Sequence, residues 1–404
     1  MSLSGTVSAE RVHISFFGMR NAGKSSVVNA FTGQKLSLVS DVKGTTTDPV
    51  RKAMELLPMG PVMIIDTPGI DDEGKLGEMR VARSLEVLRQ TDVAILVVDA
   101  IKGLQDGDMK LATAFEEKKL PYIIVYNKAD LLPGYPEPLS AAPKQGLNPA
   151  GTIMVSAEDG WHIHQLKEMV AHLAKTQEKE KHLVADLINP GDTVILVIPI
   201  DKSAPKGRLI LPQQQTIRDI LEARAVSMIC GVDELPQTIQ SLKNPPALVI
   251  TDSQAFKEVA ERVPQDIPLT SFSILMARWK GSLTAAAEGA FALDHIKTGD
   301  KILISEGCTH HRQCEDIGTV KLPALIKRHT GSEPEFHFTS GREFPDDLSE
   351  FSLVIHCGGC MLNDKEMEYR NAHAAECGIP MTNYGIAIAH MNGILQRSIA
   401  PLGM

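Results

Sequence analysis

The chain has 404 residues, a formal net charge of −9 at pH 7 and 43% hydrophobic residues. This length exceeds what one ordinary hydrophobic core supports, so two or three domains are expected. The acidic balance argues against a nucleic-acid surface, which needs clustered Lys and Arg, and no uncharged apolar run is long enough to cross a membrane. Residues 1–11 are polar and lack the apolar segment of a secretory signal, so a cytoplasmic location is predicted.

From Val12 to about Lys175 the sequence alternates short apolar segments with segments of helical spacing. Alternation of this kind is typical of a parallel sheet with helices on both faces. It predicts an α/β, doubly wound domain over residues 1–176. The expected strands are Val12–Phe17, Val62–Asp66, Val93–Asp99, Tyr122–Tyr126 and Thr152–Val155.

The first expected strand is followed at once by GMRNAGKS, residues 18–25, which fits the pattern G-x-x-x-x-G-K-[ST]. Its glycines let backbone N–H groups surround phosphates at a helix N-terminus. Lys24 would reach the terminal phosphates, and the Ser25 hydroxyl would coordinate Mg²⁺. By itself the pattern also fits a glycine-rich turn between a strand and a helix. The predicted contacts of this phosphate loop are Asn21, Ala22, Gly23, Lys24, Ser25 and Ser26.

Three further motifs stand at the ends of later strands. DTPG, residues 66–69, would bring a carboxylate near Mg²⁺ and a glycine N–H near the terminal phosphate. NKAD, residues 127–130, offers Asp130 as acceptor for the guanine N1–H and N2 amine, which adenine lacks. At Ser156-Ala157 a backbone N–H can meet the guanine oxygen. The predicted contacts in these motifs are Asp66, Gly69, Asn127, Lys128, Asp130, Ser156 and Ala157.

Four motifs, each at the end of an expected strand, predict binding of GTP or GDP, because the carboxyl ends of parallel strands meet at one edge of the sheet. The domain resembles the translation-factor-related GTPases of the Era and tRNA-modification branch. The resemblance implies that Thr46, or next Thr45, binds Mg²⁺ in the GTP state, and that Asn21, otherwise an ordinary turn residue, helps bind K⁺. Ile70 stands where Ras-like proteins have a water-orienting Gln, so slow, potassium-stimulated hydrolysis is expected. The catalytic residues would be Lys24, Thr46, Asp66 and Gly69.

The rest of the chain follows a charged helical run at residues 175–181, which is expected to link domains. A second domain, residues 183–264, contains a buried strand in the run Thr193–Ile200. It is small for an independent core, which favours a homodimer. A third domain, residues 268–404, opens with one long helical pattern, Phe272–His295, and continues with alternating strands and helices.

Cysteine and histidine side chains follow two expected strands of the third domain. CTH, residues 308–310, follows Lys301–Ser305, and HCGGC, residues 356–360, follows Ser352–His356. Two thiolates separated by two residues can hold one metal centre from one loop, with glycine N–H groups free to face sulfur. Six cysteines in a chain without a secretory signal indicate metal chemistry rather than a disulfide framework.

The residues themselves leave the kind of metal open. A 4Fe–4S cluster would take three thiolates, those of Cys308, Cys357 and Cys360. One iron would then lack a cysteine, and its fourth ligand would be solvent or one of His310, His356 and Glu315. Zinc held by three cysteines and a histidine fits the same residues, and a lone C-x-x-C also occurs as a thiol redox pair.

Three features together resemble one family, the FeFe-hydrogenase maturation GTPases. They are the Era-type domain, a middle domain with PIDKSAPKGR at residues 199–208 and QQQ at residues 213–215, and the C-x-H and H-C-x-x-C motifs. The resemblance covers nearly the whole chain. It implies a dimerising middle domain and a 4Fe–4S cluster bound by Cys308, Cys357 and Cys360.

The same resemblance implies a function. Members of the family act as scaffold and carrier for the precursor of the hydrogenase di-iron subcluster, so a transient 2Fe precursor is expected on this chain. They receive its components from two radical-SAM maturases and deliver the product to the apo-hydrogenase. The alternative is an Era-like GTPase with a structural zinc site, acting in RNA or ribosome maturation or in enzyme regulation; the acidic charge counts against its RNA form.

Overall fold

The computed structural model describes residues 10–33, 49–57, 60–69, 84, 86–134, 146–176, 181–200, 209–307, 317–341 and 343–404. The chain divides into two units, Met1–Lys179 and Glu180–Met404. Among the described residues, the first unit contains one six-stranded sheet and the second contains two four-stranded sheets. No helix in the described part of the chain combines the length and apolarity needed to cross a membrane.

The first unit has strands β1 (Val12–Phe17), β2 (Val50–Leu56), β3 (Gly60–Asp66), β4 (Val93–Asp99), β5 (Tyr122–Asn127) and β6 (Gly151–Met154). Its described helices are α1 (Lys24–Thr32), α2 (Asp106–Glu117) and α3 (Ile163–Lys175). The strand order is β2-β3-β1-β4-β5-β6. β2 is antiparallel to β3, and all other neighbours are parallel. The predicted α/β, doubly wound class is confirmed.

Apolar side chains cover both faces of this sheet. On one face Phe16 of β1 packs against Phe31 of α1, with ring centroids 5.4 Å apart. On the other face Phe17 packs against Phe115 of α2 at 5.2 Å. Since both faces are covered, β4 and β5 are nearly continuous apolar runs, which is why the sequence reveals them. β2 was not predicted, because this edge strand mixes charged and apolar residues without a regular period.

The second unit begins with strands β7 (Thr193–Val197), β8 (Val226–Cys230), β9 (Leu248–Thr251) and β10 (Leu269–Ser271). They form a parallel sheet in the order β10-β9-β7-β8. Three helices lie between these strands in sequence: α4 (Leu211–Glu222), α5 (Leu235–Ser241) and α6 (Phe256–Arg262). β8 is an edge strand whose Val226 and Ile229 side chains are exposed.

The third sheet contains β11 (Lys301–Glu306), β12 (Glu335–Ser340), β13 (Leu353–His356) and β14 (Met381–Asn383). It is also parallel, in the order β12-β11-β13-β14. The helices of this part are α7 (Phe272–Trp279), α8 (Leu283–Ala290), α9 (Leu322–Thr330), α10 (Asp364–Glu376), α11 (Tyr384–Met391) and α12 (Leu395–Ile399). β11 and β13 are neighbours, so the segments that follow them start at the same edge of the sheet.

The prediction of a single helix from Phe272 to His295 is wrong. The chain forms α7, then α8, then a 3₁₀ turn over Phe291–His295. Gly281 lies between the two helices with φ 73°, a left-handed conformation that ends α7 without steric cost. Apolar periodicity continues across this turn, so the pattern alone did not reveal it.

The two sheets of the second unit are joined through a common core. Val249 of β9 and Ile386 of α11 belong to the same buried cluster. The predicted boundary at residues 264–268 falls between β9 and β10 of one sheet. The three domain ranges expected from the sequence, residues 1–176, 183–264 and 268–404, stay predictions.

Candidate functional site

The phosphate loop joins β1 to α1 and turns through two residues in the left-handed region. Asn21 has φ 64° and Gly23 has φ 82°. A Cβ atom added to Gly23 would overlap Nδ2 of Asn127, so this position requires glycine. α1 begins at Lys24, and the unpaired N–H groups of a helix's first turn favour anions. The strand–loop–helix context that the motif needs is present.

Asp66 connects the end of β3 with the start of α1. Lys24 Nζ donates to Asp66 Oδ1, and the Ser25 hydroxyl donates to Asp66 Oδ2 over 2.9 Å. Lys24 and Asp66 are both buried, so each charge is neutralised by the other. The hydroxyl and carboxylate oxygens are the ligand type that Mg²⁺ prefers, and the ammonium group is the type that binds phosphate.

Asn127 links the phosphate loop to the last predicted motif. Its Nδ2 donates to the Ala22 carbonyl over 3.1 Å, and its Oδ1 accepts from the Ala157 N–H over 3.1 Å. The Ser156 hydroxyl donates to Asp130 Oδ1 over 2.8 Å, which fixes the direction of that carboxylate. The structure therefore brings the phosphate loop, NKAD and the Ser156-Ala157 turn together through direct hydrogen bonds.

Lys128 spans two of these segments, and its carboxylate partner was missed by sequence reasoning. Its Nζ donates to the Asn21 carbonyl over 2.7 Å and to Asp99 Oδ2 over 2.6 Å. Burial raises the pKa of Asp99, but the hydrogen bond and charge of Lys128 outweigh it and the pKa is lowered overall. The position of Asp99 could have revealed it as a site residue, because Asp99 ends β4 at the same sheet edge as the predicted motifs.

The other predicted residues of this site are located as follows. A Cβ atom on Gly69 would lie 3.2 Å from Cα of Arg20, so the DTPG turn approaches the phosphate loop closely. Ser26 is half-buried in the first turn of α1. Thr45 and Thr46 lie outside the described residues.

The second candidate site is the loop after β13, where the Cys357 sulfur receives two backbone N–H groups. Gly307, directly after β11, donates to Cys357 Sγ over 3.0 Å, and Gly359 donates over 3.4 Å. Gly359 has φ 66°, which lets the loop fold back over the sulfur. N–H groups directed at sulfur stabilise a thiolate or a metal-bound thiolate.

Both thiols of the C-x-x-C pair are half-buried. Burial raises the pKa of Cys357, although the two N–H groups oppose this effect. Burial and the neighbouring Cys357 raise the pKa of Cys360 to about 11, while the Lys280 ammonium acts in the opposite direction. Without a bound cation, both therefore stay protonated at neutral pH; a metal ion would bind them as thiolates.

His356 is buried directly beneath this loop. Its Nδ1 lies 2.7 Å from the Cys357 carbonyl and its Nε2 lies 2.9 Å from Nη1 of Arg370. A guanidinium only donates, so Nε2 accepts and Nδ1 carries the proton. Burial and the Arg370 charge lower the pKa of His356 to about 3. Both ring nitrogens are in use, which argues against His356 as the fourth ligand.

Arg370 is fully buried and holds this region together. Its Nε donates to Glu366 Oε1 over 2.9 Å, and Nη2 donates to the Gly341 carbonyl over 3.0 Å. Nη1 also reaches the Ser305 hydroxyl over 3.3 Å. Sequence reasoning missed this residue, because a Glu and an Arg four positions apart on a helix usually form a surface pair.

Glu306 is a further residue that sequence reasoning missed. It ends β11, is buried, and accepts a hydrogen bond from the Tyr384 hydroxyl over 3.2 Å. Its negative charge contributes to raising the pKa of Cys357. The predicted residues Cys308, His310 and Glu315 lie outside the described residues; Cys308 follows Gly307 directly in the sequence.

The fold and the first site define the class of protein, a P-loop GTPase with additional α/β domains. The model of the 50S ribosome-binding GTPase family matches residues 13–128. The hydrogen maturase F dimerization domain matches residues 183–281, and the hydrogen maturase F tetramerization domain matches residues 284–401. Together the last two cover more than half of the chain, which belongs to the hydrogen maturase F (HydF) family.

Curated relatives resemble part of the chain. GTPase Der from Fusobacterium nucleatum is 31% identical over 239 residues, 56% of this chain and 53% of that protein. The tRNA modification GTPase MnmE from Nitrosomonas europaea is 33% identical over 177 residues, 43% of this chain and 37% of that protein. The chain spans about half or less of the length of these relatives.

Among solved structures, Era from Aquifex aeolicus bound to GDP and AlF₄⁻ covers 54% of this chain and 92% of its own. Its TM-score is 0.34 at 20% identity. The bacterial selenocysteine-specific elongation factor has a TM-score of 0.35 at 19% identity and covers 42% of this chain and 29% of its own. The family assignment rests on the domain matches.

Proposed function

We propose that the chain binds and slowly hydrolyses GTP and acts as scaffold and carrier for the di-iron subcluster precursor of FeFe-hydrogenase. The observation that carries this proposal is the contact between the Gly307 N–H and Cys357 Sγ, 3.0 Å apart. It joins the chain segment that leads into Cys308 to the C-x-x-C loop. Consecutive Cα atoms are about 3.8 Å apart, so a third thiol within reach of the other two is expected from this contact.

The nucleotide part of the proposal rests on the first site. Lys24 and Asp66 form a buried ion pair, and GTP would offer Lys24 a phosphate partner instead. Mg²⁺ would be held by Ser25 and Thr46, with Asp66 beside it. K⁺ at Asn21 would supply the positive charge that an arginine finger supplies elsewhere. Since position 70 has no side chain that orients water, hydrolysis without a partner would be slow.

The metal part rests on the second site. Cys308, Cys357 and Cys360 would hold a 4Fe–4S cluster, which would supply one iron without a cysteine ligand. His356 does not suit that position, because both of its nitrogens are hydrogen-bonded. Glu306, which was not among the predicted ligands, is a further candidate, since its carboxylate is buried at the end of β11, next to Gly307. His310 and Glu315 stay alternatives.

The proposed partners are two radical-SAM maturases, which would supply the components of the precursor, and the apo-hydrogenase, which would accept it. The chain carries domains named for dimerization and tetramerization, so it forms oligomers. A homodimer through the second sheet is supported by edge strand β8, where Val226 and Ile229 are exposed. The exchange itself would take place in the cytoplasm, where thiols stay reduced.

Anaerobic reconstitution with iron and sulfide, followed by metal analysis and EPR, tests this function. Iron in cluster stoichiometry with an EPR signal after reduction supports it. Bound zinc without iron would contradict the proposed function and favour the alternative, a GTPase with a structural zinc site. Copurified RNA with strongly salt-dependent binding would favour the RNA-maturation alternative.

A further inference from the structure

We propose that Asp294, His329 and His390 form a surface site for one divalent first-row transition-metal ion, separate from the cysteine loop. One ligand atom from each residue lies within 4.8 Å of the other two. The three residues are distant in sequence and come from three elements: the 3₁₀ turn Phe291–His295, α9 and α11. The proposal does not depend on the function proposed above.

The distances already approach those of a metal site. His329 Nε2 lies 2.8 Å from Asp294 Oδ1, and His390 Nε2 lies 3.0 Å from both carboxylate oxygens. Ligand atoms bound about 2.1 Å from one ion are roughly 3.0–3.4 Å apart. Small rotations of the side chains would therefore admit an ion between them.

The three elements that carry these side chains share one buried core. Leu293, Ile326 and Ala387, one from each of the three elements, are fully buried in one apolar cluster. The ring of Phe291 also packs edge-on against His390, with centroids 5.0 Å apart, and restricts that imidazole. Ligands held by a common core lose little entropy when an ion binds.

The donor set indicates which ions fit. Two imidazole nitrogens and one carboxylate oxygen suit Zn²⁺, Fe²⁺, Co²⁺ or Ni²⁺, whereas Mg²⁺ and Ca²⁺ prefer oxygen. Both imidazoles would bind through Nε2, so the proton that Nε2 now directs at the carboxylate would move to Nδ1 or to solvent. The Asp294 side chain is 43% exposed, which leaves a path for the ion and room for bound water.

The site shares no residue with the cysteine loop. Tyr384, at the start of α11, bonds Glu306 beside that loop, whereas His390 stands near the other end of the helix. Tyr384 and His390 are six positions apart, which corresponds to about 9 Å along the helix axis. Ion binding at His390 is therefore expected to leave the cysteine chemistry unchanged.

Co²⁺ titration of the anaerobically reconstituted full-length chain tests the proposal, with absorbance and calorimetry as readouts. The wild type is expected to bind one more Co²⁺ than His329→Gln or Asp294→Asn, with visible d–d bands and no thiolate charge-transfer band. His295→Gln is the matched control, because His295 is exposed on the same turn and is not in the cluster; it should keep the ion.

Equal Co²⁺ stoichiometry in the wild type, His329→Gln and Asp294→Asn would overturn the proposal, as would binding that gives thiolate bands alone. Asp294→Asn guards against a folding artefact, since its amide preserves the shape of the hydrogen-bonded bridge but is a weaker ligand. Circular dichroism of each variant confirms that the fold is retained. Zn²⁺ should raise the melting temperature of the wild type and the control but not of the two ligand variants.

Discussion

The backbone N–H of Gly307 lies 3.0 Å from Sγ of Cys357, although the two residues are fifty positions apart. β11 and β13 are parallel neighbours, and each ends at the same edge of the third sheet. Because these strands pair in parallel, the segment that leads into Cys308 and the segment that contains Cys357 lie side by side at this edge.

Replacing Cys357 with Ser removes the sulfur that accepts both N–H groups. Iron and sulfide bound after anaerobic reconstitution should fall below roughly half of the wild-type values, because a cluster needs its thiolates. GTP affinity should not change. Cys377→Ser is the control, since Cys377 is exposed at the end of α10. Wild-type iron content in Cys357→Ser would refute the ligand assignment.

Replacing Glu306 with Gln removes a buried negative charge and keeps an oxygen that accepts from Tyr384. If Glu306 is the fourth ligand, the cluster should still assemble, but its EPR line shape and its binding of added imidazole should change. Glu376→Gln, on an exposed position of α10, serves as control. Spectra identical to the wild type, with and without imidazole, would assign the position to another ligand.

Replacing Lys24 with Ala removes the cation of the phosphate loop that pairs with Asp66 at the end of β3. GTP hydrolysis should fall by about 10² or more, the cost of losing one group that stabilises the transition state. Phosphate release measures this directly. The EPR spectrum of the cluster should stay intact, and Lys175→Ala on the exposed end of α3 should behave as wild type. Loss of the cluster together with hydrolysis would mean that the two sites are not independent.

Potassium should stimulate hydrolysis. The rate in K⁺ is expected to exceed that in Na⁺ by ~10-fold or more, because a cation beside the phosphates stabilises developing charge. Asn21→Gly removes the side chain without strain, since Asn21 has φ 64°, and should abolish the difference between the salts. Equal wild-type rates in both salts would remove K⁺ from the mechanism.

Replacing Asp99 with Asn removes the negative charge that pairs with the Lys128 ammonium group. GDP affinity should drop roughly fivefold, about 1 kcal/mol, as measured with a fluorescent nucleotide. The pKa of Asp99 is lowered in the fold, so the pair contributes above the ordinary pKa of 3.8 and is lost only as pH falls below it. The contribution of the Asp99–Lys128 pair to wild-type affinity should therefore be constant between about pH 5 and pH 8. Asp106→Asn, exposed at the start of α2, is the control, and equal affinities in the two variants would contradict this role.

Local patterns in the sequence were enough to locate the motifs of the first site, though not the pairing of Lys128 with Asp99. The phosphate loop is continuous in the chain, and each later motif ends an apolar strand that is buried on both faces. Those strands appear as uninterrupted apolar runs, so their ends, and hence the motif residues Lys24, Asp66 and Asn127, could be predicted. Edge strand β2 lacked this signal and was missed.

The break at Gly281 and the environment of the cysteines lacked a local signal. Apolar spacing runs through α7 and α8 alike, so the turn between them was read as helix. His356 was a reasonable metal ligand by its position beside Cys357. Its Nδ1 is bonded to the Cys357 carbonyl, and its Nε2 is occupied because Arg370, fourteen residues later on α10, packs against it.

By itself, the sequence determined the α/β class, the nucleotide motifs and the residue types available for a metal centre, since each depends on neighbours within one turn or one strand. Tertiary structure decided which side chains meet. The pairs Lys128–Asp99, His356–Arg370 and His390–Asp294 join residues 29, 14 and 96 positions apart. Their contacts follow from strand order and helix packing, which no local pattern encodes.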